Sequence, residues 1–318
     1  MKIIKTKLNY TAAFILLDIN TLKIGETTTF DIYIKKDNDY IIIIEAGTLL
    51  SDNIYAKLKK QDKLYIAKKD ENKQILSCES LKYYIRHNRD DHKKRVGLLY
   101  EVNNQLFEIF TTNIENKIHL GCVKLIIQSI IYLLRYDENF IKNTMPYLLN
   151  DYELQNHSLH VAIYALALGN KLKFNNEQLS QLGTAALLHD LGLKKIDQNI
   201  VNKNAKLTFA EMKTVQKHSL YGVEILKQNK INDPYILDAV MHHHERLDGS
   251  GYPDRLNKEN ISDFSSIIAI CDVFDALTNN RPHRKEYKSF EALKMMMRDS
   301  EMINQFNQEF LHLSIKML

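Results

Sequence analysis

The feature that most constrains the fold of this chain is a change of hydrophobic pattern near its middle. From about Asp137 onward no segment alternates apolar and polar residues as a β-strand does, and apolar residues recur every three or four positions. Helical periodicity or composition covers residues 159–172, 177–188, 209–228, 234–244, 264–278 and 290–297. The second half of the chain is therefore predicted to be entirely α-helical.

The N-terminal part mixes strand and helix patterns. Segments 30–35 and 40–45 are rich in Ile, Tyr and Phe and flank a polar turn, which predicts a β-hairpin. A short helix through residue 60, capped by Ser51 or Asp52, a strand at 63–68 and a helix from about 80 to 116 are expected next. We predict a mainly α protein, with a small α/β domain at residues 1–115 and an all-helical domain at 116–318.

Composition limits the partners and the compartment that we expect. The 43 basic and 39 acidic residues give a net charge of +4, which lacks the concentrated basic surface of a protein that binds DNA or RNA. Segments 12–17 and 123–134 are too short or too often interrupted for the roughly 20 apolar residues of a transmembrane segment. The three cysteines are scattered and lack disulfide or thiolate-metal spacing, so a cytoplasmic protein is expected.

Histidines are concentrated in the helical half, where nine of the twelve lie at or after His157. Two carboxylates in this half have apolar neighbours: Asp190 follows His189 and an Ala-Ala-Leu-Leu run, and Asp272 lies within Ala-Ile-Cys-Asp-Val-Phe. A carboxylate buried among apolar residues is costly unless it is paired or binds a metal. Imidazoles with carboxylates suit iron, manganese or zinc.

Taken singly, these signals are weak. Glu153 and His157 are four residues apart and would share a helix face, but such a pair is usually a surface contact. His218 alone reads as an exposed helix residue. The whole set is much more specific than any one of its members.

Five separated segments together resemble the HD-GYP family, a branch of the HD phosphohydrolase superfamily. The segments are LLHDLG at 187–192, KHSLYG at 217–222, HHERLDGSGYP at 243–253, CDVFDALT at 271–278 and NRP at 280–282. They occur in the order of the family and at its approximate spacing, over about residues 152–318. This resemblance implies the fold of a helical HD-type domain.

The resemblance also implies a metal centre with two or three divalent ions, for which we expect iron or manganese. The implied metal ligands are His157, His189, Asp190, His218, His243, His244 and Asp272, with Glu153 as the further ligand of members that bind a third ion. Asp190 would bridge two metals, and His189 and Asp190 are the implied catalytic residues. Glu245 and Asp275 are candidates, by position, for the acceptors that orient the ligating imidazoles.

Substrate contacts are expected beside the metal centre. They fall at Gly251, Tyr252, Pro253, Arg281, Arg284 and Lys194. The planar guanidinium of arginine suits a phosphate diester. One position departs from the pattern: Leu193 stands where the family usually has a phosphate-holding lysine, and Lys194 lies next to it. We expect weakened phosphate binding.

The implied function is metal-dependent hydrolysis of a cyclic dinucleotide, with cyclic di-GMP opened to linear pGpG or on to GMP. Two alternatives stay open. One is an HD hydrolase of another nucleotide, such as a different cyclic dinucleotide. The other is a signalling module that binds cyclic di-GMP and barely turns it over, which Leu193 keeps open. For the N-terminal domain and its helix we hypothesise a regulatory role, or contact with a protein partner or a second copy of the chain.

Overall fold

The structure is a computed structural model, and it describes residues 14–17, 19, 22, 24–25, 27–37, 39–68, 70, 85, 91–112, 118, 120–148, 154–279, 286–300 and 302–317. The chain forms two compact units, Met1–Arg89 and Asp90–Leu318. This division falls earlier than the predicted boundary at residue 115. Each unit has its own hydrophobic core.

The first unit contains a four-stranded antiparallel sheet. Its strands are β1 (Phe14–Leu17), β2 (Ile32–Lys36), β3 (Asp39–Ile44) and β4 (Leu64–Ala67), in the order β1-β4-β2-β3. Helix α1 (Asp52–Leu58) begins after Ser51, whose side chain accepts a hydrogen bond from the backbone N–H of Ile54. The predicted hairpin, helix and strand are confirmed. Strand β1 was not predicted, because four residues are too few to establish a period.

The second unit is helical throughout its described residues. Its α-helices are α2 (His92–Thr112), α3 (Leu120–Tyr136), α4 (Phe140–Leu148), α5 (Leu154–Lys171), α6 (Asn176–Leu188), α7 (Gln198–Val201), α8 (Phe209–Val215), α9 (His218–Gln228), α10 (Pro234–His242), α11 (Asp263–Thr278), α12 (Ser289–Arg298) and α13 (Gln308–Ile315). Two short 3-10 helices cover Leu191–Lys195 and Lys258–Asn260. The predicted mainly α architecture is confirmed.

Helix α5 lies at the centre of this unit. Its residues from Leu159 to Leu168 are almost entirely buried, and it packs against α2, α3, α6 and α11. A helix that is apolar on every side is stable only when other helices surround it. The ends of α6 and α10 and the start of α9 meet near the N-terminal half of α5, and this meeting point is where polar side chains enter the core.

Two boundaries differ from the sequence prediction. The predicted helix at 209–228 is two helices, α8 and α9, with Gln216 and Lys217 between them. Helix α2 belongs to the second unit because it packs on α3, α4 and α5, and because Arg95 bonds to Asp137 at 2.7 Å. Of the rest of the helix predicted at 80–116, only residues 85 and 91 are described. No described helix is long and apolar enough to cross a membrane.

Candidate metal centre

Seven of the predicted metal ligands come together where five helices meet. His157 lies on α5, His189 and Asp190 follow the last residue of α6, His218 begins α9, His243 and His244 follow α10, and Asp272 lies within α11. The eighth predicted ligand, Glu153, lies outside the described residues. Residues far apart in sequence therefore share one buried site.

The ligand atoms form two groups. Asp190, His218, His243 and His244 make up one, and His157, His189 and Asp272 make up the other, with the atoms of each group within 4.8 Å of one another. Within the first group, Asp190 Oδ1 lies 3.3 Å from His218 Nε2 and 3.9 Å from His243 Nε2. Spacings of this size suit side chains arranged around a common cation.

Asp190 also faces the second group with its other oxygen. Its Oδ2 lies 3.5 Å from His189 Nε2 and 3.9 Å from His157 Nε2. His157 Nε2 in turn lies 3.3 Å from Asp272 Oδ1. One carboxylate therefore stands between the two groups, with one oxygen directed to each.

Hydrogen bonds of Nδ1 show which ring nitrogen carries the proton in three of the histidines. Nδ1 of His189, His218 and His243 lies 2.7, 2.8 and 2.8 Å from the backbone carbonyl oxygen three residues earlier in the chain. A carbonyl oxygen only accepts, so each Nδ1 carries the proton and donates. In the neutral imidazole the other nitrogen, Nε2, then has a lone pair, and in all three residues it points into the site.

These lone pairs lack hydrogen-bond donors. Nε2 of His189 is buried without a hydrogen-bond partner. Nε2 of His218 and Nε2 of His243 face each other at 3.2 Å, although neither neutral ring has a proton there to donate. Buried acceptors are normally paired with a donor. Converging acceptors beside two carboxylates fit a divalent cation, and the donor set suits iron, manganese or zinc.

Burial and neighbouring charges shift the pKa values of His243, His244 and Asp272 toward the forms that bind metals. Burial, together with the nearby His189 and His218, lowers the pKa of His243 to about 3, and burial with the adjacent His243 lowers that of His244 well below its ordinary value. Burial alone would raise the pKa of Asp272, but the His157 hydrogen bond and the nearby His244 hold it well below the usual range. The rings of His243 and His244 are therefore neutral and Asp272 is ionised. His157 differs: burial alone would lower its pKa, but the hydrogen bonds to Asp272 and Asp275 hold it well above its ordinary value, so this ring must lose a proton when it binds a metal.

Asp275 orients His157. It lies one turn after Asp272 on α11 and is buried, and its Oδ2 accepts a hydrogen bond from His157 Nδ1 at 2.7 Å. The expected role of Asp275 as an imidazole acceptor is thus confirmed. Its Oδ1 lies 3.0 Å from Nδ1 of His160, and His160 Nε2 bonds to the hydroxyl of Tyr100 on α2 at 2.6 Å.

Sequence reasoning did not assign His160 and Tyr100 to this network. The signal that was available is the three-residue spacing of His157 and His160, which puts both rings on one face of α5. The partner Tyr100 lies 60 positions away in the sequence, and no local pattern links it to His160.

Glu245 does not have the role expected of it. It is buried directly after His244, but its carboxylate accepts hydrogen bonds from the backbone N–H groups of Asp254, Arg255 and Leu256 at 2.7, 3.0 and 3.0 Å. The prediction that Glu245 orients an imidazole is therefore wrong. It instead ties the loop after Pro253 to the segment that carries two ligands.

The predicted substrate loop lies against the predicted metal ligands. A Cβ atom on Gly251 would overlap the Cα of Glu245 and would lie 2.6 Å from the carbonyl oxygen of His244, so only glycine fits there. The next residue, Tyr252, stacks its ring on His244 with 4.7 Å between the ring centres. Pro253 follows and forms part of the same surface.

The other predicted substrate residues are placed less favourably or not at all. Leu193 and Lys194 are half-buried on the 3-10 helix Leu191–Lys195, and burial lowers the pKa of Lys194. Lys195 Nζ bonds to Glu224 at 2.8 Å, so this lysine is engaged on α9. Arg281 and Arg284 lie outside the described residues.

Comparisons with known proteins point to one family. Residues 138–304 match the family model described as HD domain. The chain is 37% identical over 140 residues to a cyclic di-GMP phosphodiesterase of Pseudomonas aeruginosa, and 38% identical over 142 residues to a 3'3'-cGAMP-specific phosphodiesterase of Vibrio cholerae. Each match covers 44% of this chain, but only 34% and 30% of the respective relative, so the chain spans about a third of their length.

A solved structure is similar over nearly the whole chain. It is an HDG"Y"P protein from Bdellovibrio bacteriovorus, with a TM-score of 0.61 over 96% of this chain and 99% of that one. The two sequences are 18% identical, so the likeness concerns the fold.

Proposed function

The chain belongs to the HD domain family, in its HD-GYP branch, and from that premise we propose that it is a metal-dependent phosphodiesterase acting on a cyclic dinucleotide. The observation that carries the proposal is the convergence of three buried imidazole lone pairs, those of His189, His218 and His243, on the carboxylate of Asp190. Such a set of acceptors is stable when it holds cations.

Two divalent ions, for which we propose iron or manganese, would be held by the two ligand groups, with Asp190 between them. When bound, the ions supply a water activated near neutral pH and neutralise charge that develops on phosphoryl oxygens. The protein fixes the positions of the ligand side chains. Asp275 fixes the ring of His157, and the backbone carbonyls fix those of His189, His218 and His243. Glu153 would add a ligand for a third ion.

The surface beside the ligands supports a dinucleotide substrate. Tyr252 offers an aromatic ring next to His244, and Gly251 brings the loop backbone close to the same ligand. We propose cyclic di-GMP as the substrate and linear pGpG or GMP as the product, with Lys194, Pro253, Arg281 and Arg284 as further contacts. The 38% identity to a 3'3'-cGAMP-specific enzyme favours a second candidate substrate, 3'3'-cGAMP.

A third candidate is a module that binds the dinucleotide and turns it over slowly. Leu193 supports it, because an aliphatic side chain cannot hold the phosphate that a lysine holds at this position, and Lys195 is paired with Glu224. We expect weakened rather than abolished catalysis. A Leu193→Lys variant that is no faster than the wild type would contradict this expectation.

One experiment separates the candidates. The full chain is loaded with Fe(II) or Mn(II) under anaerobic conditions, its metal content is measured, and it is incubated with cyclic di-GMP or 3'3'-cGAMP before chromatography of the products. We expect hydrolysis with at least two ions per chain, and loss of both metal and activity in His189→Ala and Asp190→Ala. Tight binding without product would refute the enzyme, and hydrolysis by the two variants would refute the site.

We further propose that the N-terminal unit regulates the enzyme, through a protein partner or a second copy of the chain. The test compares the full chain with residues 90–318, which form a separate compact unit. Rate and oligomeric state should differ between the two. Identical values for both would contradict a regulatory or dimerising role.

A further inference from the structure

A cavity of about 470 Å3 opens beside the metal ligands. One wall is formed by the end of α8 and the start of α9, with Lys213, Lys217 and Leu220. The opposite wall is the loop from Gly249 to Pro253, together with Arg255. Lys217 immediately precedes the ligand His218, and Tyr252 stacks on the ligand His244, so the cavity adjoins the metal centre.

The charged residues that line this cavity are positive. Among the described residues that line it, three are cations, Lys213, Lys217 and Arg255, and none is an acid. Asp248, next to Gly249 in the loop, is engaged by the backbone N–H and the hydroxyl of Ser250 at 2.9 and 2.6 Å. Lys213 and Lys217 are four residues apart on one wall. A concave surface with positive charge on both walls attracts an anion.

The backbone of Arg255 is held in an unusual conformation. Its φ angle is +53°, in the left-handed region that glycine adopts more readily than other residues. The conformation is held by Glu245, whose Oε1 accepts the Arg255 N–H at 3.0 Å. Strained backbone that its surroundings maintain is often found at functional sites. Here it presents a guanidinium to the cavity.

We infer that this cavity binds the part of the cyclic dinucleotide that does not react, with its second phosphate against Lys213, Lys217 and Arg255. The inference rests on the proposed function. A cyclic dinucleotide carries two phosphodiesters in one ring, so when one lies at the metal ligands the other must lie close by and keeps its charge. Lysine and arginine side chains bind phosphate through charge-assisted hydrogen bonds. Leu220 and Tyr252 offer apolar surface to the attached base.

The inference predicts that the cavity contacts affect KM rather than kcat. A phosphate that is not cleaved keeps the same charge in the ground state and in the transition state. Contacts to it therefore stabilise both equally, and their loss raises KM rather than lowering kcat. A substrate with a single phosphodiester has no second phosphate to place in the cavity.

The experiment uses the metal-loaded full chain with Lys217→Gln, Arg255→Gly and the double variant. The control is Lys227→Gln, an exposed lysine in the last turn of α9 and outside the cavity. The substrates are cyclic di-GMP and bis(p-nitrophenyl) phosphate, which has one diester. Each cavity variant should raise KM for cyclic di-GMP about tenfold, as expected for loss of a hydrogen bond to a charged group, and kcat/KM for the single diester should fall much less. The control should match the wild type.

The Arg255→Gly variant distinguishes a loss of substrate binding from a loss of folding stability. Glycine adopts the φ of this position without strain, so the melting temperature should stay the same or rise while KM rises. The inference is overturned if the double variant keeps the wild-type KM for cyclic di-GMP, or if both substrates lose kcat/KM equally.

If the wild type hydrolyses neither substrate, the proposed function is wrong and calorimetric binding of cyclic di-GMP decides the inference. Weaker binding by the double variant would support it. Equal binding by the double variant, or no binding by the wild type, would overturn it.

Discussion

Replacing Gly192 by alanine should separate two elements that carry metal ligands. Gly192 follows His189 and Asp190 and touches the first turn of α9, which begins with His218. A Cβ on Gly192 would overlap the carbonyl oxygen of His218 and would lie 2.6 Å from the backbone nitrogen of Gly222, where ordinary contacts are 3.4–4 Å. Because the obstructing atoms are backbone, the two elements must move apart by on the order of 1 Å, as in other overpacked cores.

A movement of that size is large for a metal site. Ligand distances must hold to within about 0.2 Å for a good site, and Asp190 Oδ1 lies 3.3 Å from His218 Nε2 before the change. Overpacking of this kind costs about 1–3 kcal/mol of the free energy of unfolding. For a unit of this size the middle of that range corresponds to a fall in melting temperature of about 6 °C. Metal affinity should fall at least about tenfold.

The assay is metal content after reconstitution, measured beside the melting temperature. Gly97→Ala is the matched control, because Gly97 is exposed on α2 and a Cβ there meets nothing within 4 Å. That change should stabilise the helix by about 1 kcal/mol and leave the metal content unchanged. A Gly192→Ala protein with wild-type metal content and melting temperature would refute the reasoning.

Three further predictions concern single side chains. Saturating Mn(II) should raise the melting temperature of the wild type, with a gain of about 2.7 kcal/mol at a hundred times Kd, and should not raise that of Asp190→Ala. Asp275→Asn should keep the fold, measured by circular dichroism, but weaken metal binding about 10- to 100-fold in a competition titration, because the His157 ring loses a charged acceptor. Hydrogen bonds from Lys203 and from the N–H and hydroxyl of Thr208 lower the pKa of Glu211 to about 2, below its value in the unfolded chain. The ionised Glu211 therefore stabilises the fold above about pH 4.5, and this stabilisation is lost as the pH falls toward 2. The difference in melting temperature between wild type and Glu211→Gln should therefore shrink between pH 7 and pH 3.

Local pattern was enough to predict most of the fold. The β2–β3 hairpin and helices α5, α6, α10, α11 and α12 follow from hydrophobic period and turn residues. The break between α8 and α9 could not be predicted, because Gln216 and Lys217 are good helix formers. The break is imposed by packing, since His218 must turn its Nε2 toward Asp190.

Six of the seven predicted metal ligands that the structure brings together lie in recognisable motifs, and His157 does not. Most of the residues that support them were not predictable. Asp275 was found by its spacing from Asp272. Glu245 was assigned the wrong partner, because its three backbone donors belong to a loop whose path no local pattern gives. The link from Tyr100 to His160 joins two helices that are distant in sequence, and only tertiary structure brings them together.

The three backbone hydrogen bonds that Glu245 accepts give the cavity one stiff side and one compliant side. Glu245 follows the predicted ligand His244 in the chain, and its carboxylate holds the backbone of residues 254–256 directly after the loop wall, so the loop wall is tied to the ligand segment. The facing wall is built on the seven-residue helix α8 and on the first turn of α9, which begins with His218. Because the loop wall is tied to the segment of His244 and α9 carries His218, we expect a widening that admits a dinucleotide to come from α8, which carries no predicted ligand.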